Sequence, residues 1–156
     1  THAPACLILS RQNIKSLPGD RKATAKAAEQ GAYIVQKADN PDVVLVANGS
    51  EVATLIEGAA LLKDQKNLNV QVVSAPSEGV FREQSKAYQE AVIPSGVPVF
   101  GMTAGLPVAL EGLAGPHGKV FGLSHFGYSA PYTTLDEKFG FTAENVVAQV
   151  GEMLNA

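Results

Sequence analysis

Five consecutive apolar residues, Val43 to Ala47, run into the polar turn Asn48-Gly49-Ser50-Glu51. Apolar residues then recur at helical spacing: Val52, Leu55, Ile56, Ala59 and Leu62 share one face of a helix over Glu51 to Lys66. An unbroken apolar strand is expected where helices cover both faces of a sheet, since a half-exposed strand alternates. The unit is therefore read as a buried strand, a turn and a helix of a parallel α/β sheet.

The pattern repeats along the chain. Tyr33 to Gln36 and Val70 to Ser74 are read as strands, and Asn40-Pro41 breaks the chain between the first of these and Val43. Phe81, Ser85, Tyr88 and Val92 predict one helix face around Arg82 to Ala91, stopped by Pro94. Val97 to Met102 and Val120 to Leu123 are further strands, and Leu106 to Leu113 has helical spacing between Gly105 and Gly115-Pro116. Thr134 and Glu137 have the spacing of a capping box for a short helix carrying Leu135 and Phe139, which Gly140 ends. Thr142 caps a final helix whose buried stripe is Val146, Val147, Val150, Met153 and Leu154.

The first 30 residues are less patterned. Cys6 to Leu9 is a strand candidate with Ser10 to Asn13 as its polar exit, Leu17 to Asp20 is a turn, and Arg21 to Gln30 reads as a linker or short exposed helix. Strands alternating with helices give the fold class: α/β, a three-layer α/β/α sandwich with a small, mostly parallel sheet.

Composition narrows the function classes. A chain of 156 residues is an ordinary size for one domain and buries roughly 70% of its unfolded surface. With 46% hydrophobic and 17% charged residues, it has the makings of a core and not of a disordered segment. Net charge is -3 and no basic stripe is present, which argues against a nucleic-acid partner. No apolar run approaches the roughly 20 residues of a membrane span. Cys6 is the one cysteine, so no internal disulfide forms, and a reducing, cytoplasmic setting is expected. The chain opens on Thr1 without an initiator Met, which leads to the expectation that it was cut from something longer or that a tag was removed.

Two groups of residues carry candidate chemistry. Gly49 and Ser50 stand at the end of a strand and the start of a helix, where free backbone N–H groups attract anions. The ordinary reading of the same turn is that Asn48 or Ser50 caps the helix and Glu51 favours its dipole. Neither glycine-rich nucleotide-binding fingerprint is present. The second group is Ser10-Arg11-Gln12-Asn13, since a guanidinium among hydroxyl and amide groups suits a phosphate.

Metal and nucleophile chemistry find no footing. His2, His117 and His125 form no pair one helical turn apart, and Cys6 with His2 gathers no further ligands. No serine stands in a G-x-S-x-G elbow, and adjacent Ser124 and His125 have the wrong geometry for a triad. His125 is read as a loop histidine, and Glu51, Glu57, Glu78 and Glu111 as scattered carboxylates that nothing local marks as buried. Phe81, Tyr88, Phe139 and Phe141 fit a core better than a stacking platform.

Four segments in order resemble the C-terminal domain of the transketolase family: LILSRQN (Leu7 to Asn13), DVVLVANGSEV (Asp42 to Val52), VVSAPSEGVFREQSKAYQEAVIP (Val72 to Pro94), and FGYSAP (Phe126 to Pro131) with FGFTAENV (Phe139 to Val146). They span nearly the whole chain. The resemblance implies that residues 1–29 are the tail of a central, pyrimidine-binding domain and a linker, and that 30–156 are the C-terminal domain. It implies a homodimeric enzyme dependent on thiamine diphosphate and Mg2+ that moves a two-carbon ketol unit between sugar phosphates in the pentose phosphate pathway.

The family's diphosphate-holding G-D-G motif is missing here: the one Gly-Asp pair, Gly19-Asp20, is followed by Arg21. The central domain's activating glutamate is likewise outside this pattern. The resemblance thus implies a fragment that is structural and dimer-supporting, inactive alone, with no catalytic residue, no metal and no cofactor of its own. By motif, Arg11 matches the arginine that contacts the substrate phosphate. Asn48 stands where the family often has Thr, and the region from Gly105 to His117 follows the pattern loosely. A formaldehyde-using sister enzyme shares much of it. The alternative is a stand-alone small-molecule or anion-binding α/β module using the turn at Gly49.

Overall fold

The computed structural model describes residues 4, 6–10, 12–17 and 19–155, with the backbone alone for Arg21. The elements are α1 (Arg21–Ala28), β1 (Tyr33–Gln36), β2 (Val43–Ala47), α2 (Glu51–Lys66), β3 (Val70–Ser74), α3 (Glu78–Arg82), α4 (Lys86–Val92), β4 (Val99–Met102), α5 (Val108–Ala114), β5 (Lys119–Phe121), α6 (Tyr132–Phe139) and α7 (Ala143–Leu154). The sheet order is β1-β3-β2-β4-β5. β2 pairs in parallel with both β3 and β4, β5 is parallel to β4, and β1 is antiparallel to β3.

Alternate residues of the central strands feed two separate cores, which is why β2 carries no polar position. Val43, Leu45 and Ala47 of β2 face Leu55, Ala59 and Leu62 of α2 and Val146 and Val150 of α7. Val44 and Val46 face the other way, with Phe81, Val92, Leu110 and Ala114 of α3, α4 and α5. The result is the expected three-layer sandwich around a mostly parallel sheet. Gly31 joins α1 to β1 where only a glycine fits: its φ is +82°, and a Cβ there would lie 2.4 Å from the Phe81 amide nitrogen.

Several boundaries depart from the sequence reading for local reasons. The single helix expected around Arg82 to Ala91 is two helices. Ser85, assigned to the buried face, is instead an extended N-cap whose hydroxyl accepts from the Tyr88 amide at 3.2 Å. Gln89 spans the break, donating to the carbonyls of Arg82 and Gln84 at 2.9 and 2.8 Å. β4 starts at Val99 because Pro98 has no N–H to give a ladder. β5 ends at Phe121, its last partner being Met102 at the end of β4.

The capping box at Thr134 and Glu137 is not used: α6 begins at Tyr132 after Pro131, so Thr134 lies inside the helix. Gly140 does end it in the left-handed conformation, and Thr142 caps α7 by accepting from the Asn145 amide at 3.2 Å. Leu154, expected in the buried stripe of α7, is exposed.

Cys6 to Leu9 forms no strand. Leu7, Ile8 and Leu9 are 84%, 95% and 80% exposed, because no strand of this sheet lies beside them. Further along, Lys15 pairs with Glu57 at 3.0 Å and Leu17 packs on the α2–α7 core, which holds the segment against the domain before α1. Among the described residues, no helix is long and apolar enough to cross a membrane.

Candidate functional site

The order of the strands places a topological switch between β2 and β4, whose following helices α2 and α5 lie on opposite faces of the sheet. In such sheets the crevice beyond the carboxyl ends of the strands is where ligands enter. Here that edge carries the loops Asn48 to Ser50 after β2, Ala75 to Ser77 after β3, Thr103 to Pro107 after β4, and Gly122 to Pro131 after β5.

Gly49 provides the turn into α2 with φ +69°. Ser50 is the N-cap but makes no side-chain cap; its hydroxyl donates to Glu51 Oε1 at 2.6 Å. The backbone amides of Glu51 and Ala104 also favour its ionised form. The next two amides of α2 are engaged as well, Val52 with the Gly49 carbonyl at 3.4 Å and Ala53 with that of Ser50 at 3.1 Å. Two of the amides expected to be unpaired are therefore engaged. A carboxylate of the chain itself occupies the helix start.

Glu51, which nothing local marked as buried, is only 7% exposed. Burial pushes its pKa above the ordinary carboxylate value, against the opposing pull of Ser50 and the two amides, and the charge of Asp136 adds a smaller upward push. Burial raises Asp136 too.

Beside this cluster lies an open, largely apolar cleft of about 700 Å3, walled by Ala104 to Leu106 on one side and Leu123 to Gly127 on the other. Its walls are tied together: the Leu123 amide donates to the Gly105 carbonyl at 2.9 Å, and the Gly105 amide to buried Thr103 Oγ1 at 3.1 Å. His125 is an exposed loop residue, as read, but it is not isolated. Its Nδ1 lies 2.7 Å from the Phe126 carbonyl, which can only accept, so Nδ1 carries the proton and Nε2 is the free position. The ring stacks with Tyr128 at 6.1 Å and tilts onto Phe139 at 5.3 Å, and Lys138 Nζ stands 5.5 Å over Tyr128. Phe139 packs on the α2–α7 core as well as joining this aromatic cluster, and Phe81 and Phe141 are core residues, as expected. The recurrence of aromatics in FGYSAP and FGFT was the available signal for this cluster.

Arg11 and His2 lie outside the described residues. No group of three or more His, Cys, Asp or Glu side chains converges as a metal site among the described residues. The start of α2 does not fit a bound diphosphate: its Val52 and Ala53 amides are engaged, and the acidic side chain of Glu51 lies beside them.

Residues 31–142 match the family model described as the transketolase-like TK C-terminal domain. The chain belongs to that family. It is 42% identical over 153 residues to transketolase 2 of Aliivibrio fischeri, which covers 97% of this chain and 23% of that protein. It is 37% identical to the transketolase of Bacillus subtilis, over 99% of this chain and 24% of that protein. Among solved structures, transketolase from Leishmania mexicana superposes with a TM-score of 0.82 at 36% identity, covering 92% of this chain and 20% of that one. The chain spans less than a quarter of the length of these curated relatives. The transketolase-like C-terminal domain thus accounts for the mixed five-stranded sheet and for the order of motifs from Asp42 to Thr142.

Proposed function

We propose that the chain acts as the C-terminal domain of a transketolase, an enzyme that uses thiamine diphosphate and Mg2+ to move a two-carbon ketol unit from a ketose phosphate to an aldose phosphate. The observation that carries this reading is the match along almost the entire chain to transketolases about four times as long. Within such an enzyme, residues 30–156 pack on the other domains and support a homodimer, in the cytoplasm, without doing chemistry. Residues 1–29 are the end of the central domain. The bare apolar side chains of Leu7, Ile8 and Leu9 support this, since a segment of that kind is at home in a sheet that this chain does not contain. Arg11, four residues after Leu7, contacts the substrate phosphate. The cofactor is held by domains other than this one.

The alternative, a stand-alone anion-binding module, has the filled amides of α2 against it. A hybrid enzyme tests the proposal: the corresponding segment of Bacillus subtilis transketolase is replaced by this chain. Ketol transfer between sugar phosphates by a dimeric hybrid is expected. A hybrid that dimerises and binds thiamine diphosphate but transfers no ketol unit would count against the assignment.

A further inference from the structure

We propose that Asn48 is a site of spontaneous covalent modification: its side-chain amide is lost through a ring closed by the Gly49 backbone nitrogen, which leaves aspartate or isoaspartate at the exit of β2. Asn48-Gly49 is the one Asn-Gly pair in the chain. The reaction needs a main-chain nitrogen free to attack, a carboxamide that nothing holds, and no side chain in the way. The turn from β2 to α2 supplies each of these.

Among the described residues the Gly49 N–H donates to no partner, although the Gly49 carbonyl accepts from Val52. The half-buried Asn48 side chain makes no hydrogen bond among them either, and no buried side-chain nitrogen or oxygen there is left without a partner. The Asn48 carboxamide is therefore open to water. The approach is clear as well: around the position of a Cβ on Gly49, only Glu51 Oε2 comes within 4 Å, at 3.8 Å.

The other asparagines each lack a requirement. Pro41 follows Asn40 and has no N–H. Asn69, Asn145 and Asn155 donate their side-chain amides to the carbonyls of Asn40, Gly140 and Gly151 at 3.2, 2.8 and 2.7 Å. Asn67 precedes Leu68, whose N–H is bonded to the Leu62 carbonyl at 3.4 Å. Asn13 precedes the β-branched Ile14, which crowds the attacking nitrogen.

Water is the only co-reactant. The Gly49 nitrogen gives up its proton to base and bonds to Asn48 Cγ. The Cγ–Nδ2 bond breaks, and ammonia leaves with a proton from water. Water then opens the cyclic imide: cleavage at Cγ gives aspartate, and cleavage at the main-chain carbonyl gives isoaspartate. Both products set a carboxylate three residues before buried Glu51. Isoaspartate also adds a backbone carbon between β2 and α2. The register of β2 is fixed by β3 on one side and β4 on the other, so the added length falls on the turn.

Peptide mapping of the chain after incubation tests the site, with the chain folded or in urea, at neutral and at mildly alkaline pH. Asn48 is expected to lose its amide before any other asparagine, giving two isomeric products, and faster at the higher pH. Because the turn needs little local opening, the rate in the folded chain should lie within about tenfold of the rate in urea. Asn48→Thr, which has no carboxamide, should abolish the early release of ammonia. Another asparagine reacting first, a rate indifferent to pH, stronger protection by folding, or early ammonia release that persists in Asn48→Thr would each overturn the proposal. Should Asn48→Thr not fold, the modified residue and the ratio of folded to urea rates in the native chain decide.

Discussion

Gly58 of α2 lies directly against Val146 of α7: a Cβ on Gly58 would sit 2.8 Å from Val146 Cγ1 and 2.9 Å from its Cβ. Both helices cover the same face of the sheet, and Val146 is fully buried. The glycine is what allows the two backbones to approach. Gly151, further along α7, has nothing within 4 Å of its missing Cβ.

The two glycines should respond to alanine with opposite signs. Gly58→Ala gains helix propensity but overpacks a core that cannot give way, and should cost about 1–3 kcal/mol. Gly151→Ala meets no neighbour and should stabilise by up to about 1 kcal/mol. Urea unfolding of both variants measures this. Equal stabilisation by the two would mean that α2 and α7 are not in close contact.

Glu51 should give stability a pH dependence of defined sign. Its folded pKa is raised above its ordinary value by burial. The stability it contributes is therefore fully present below the unfolded glutamate pKa of about 4.3 and is lost as pH rises through the raised folded value. Glu51→Gln removes this loss. Thermal melts should show the variant gaining on the native chain as the solution goes from acid to neutral. A difference that stays constant, or runs the other way, would show that the carboxyl is not held in a buried setting.

The turn at Gly49 should bind anions weakly. Its helix amides are engaged and Glu51 brings negative charge, so phosphate is expected to bind only at about millimolar concentration, worth roughly -4 kcal/mol. Gly49 has φ +69°, and Gly49→Val should damage folding more than any binding. A phosphate titration by NMR decides this. Saturable, micromolar shifts at Gly49 and Ser50 would favour an anion-binding module.

Arg11 is expected to act on the substrate phosphate within a full-length enzyme. Arg11→Ala should raise KM for phosphorylated substrates at a cost of about 1.5–3 kcal/mol. An unphosphorylated sugar should be much less affected, having no dianion to lose. Equal losses for both kinds of substrate would assign Arg11 to structure.

The sheet was legible in the sequence because its strands are covered on both faces. Val43 to Ala47 and Val70 to Ser74 start and stop as read; the first is an unbroken apolar run, and in the second Gln71 and Ser74 are buried along with the three valines. The loops were less so. Glu51 is buried, and no local pattern marks it as such. Ser85 has helical spacing with Phe81 and Val92, yet its hydroxyl gains more as a cap than it would in an apolar face. The cluster of His125, Tyr128 and Phe139 forms because α6 folds back on the preceding loop, a tertiary event that spacing does not reveal.

The central claim is that this domain belongs to a thiamine-diphosphate enzyme without performing its chemistry. Ketol transfer by the purified chain tests it most directly, with thiamine diphosphate, Mg2+, a ketose phosphate donor and an aldose phosphate acceptor supplied. The expected result is no transfer by the chain alone, beside turnover by the hybrid transketolase that carries it. Measurable transfer by the chain alone would contradict the account, because it would require a cofactor cradle and an activating glutamate within these 156 residues.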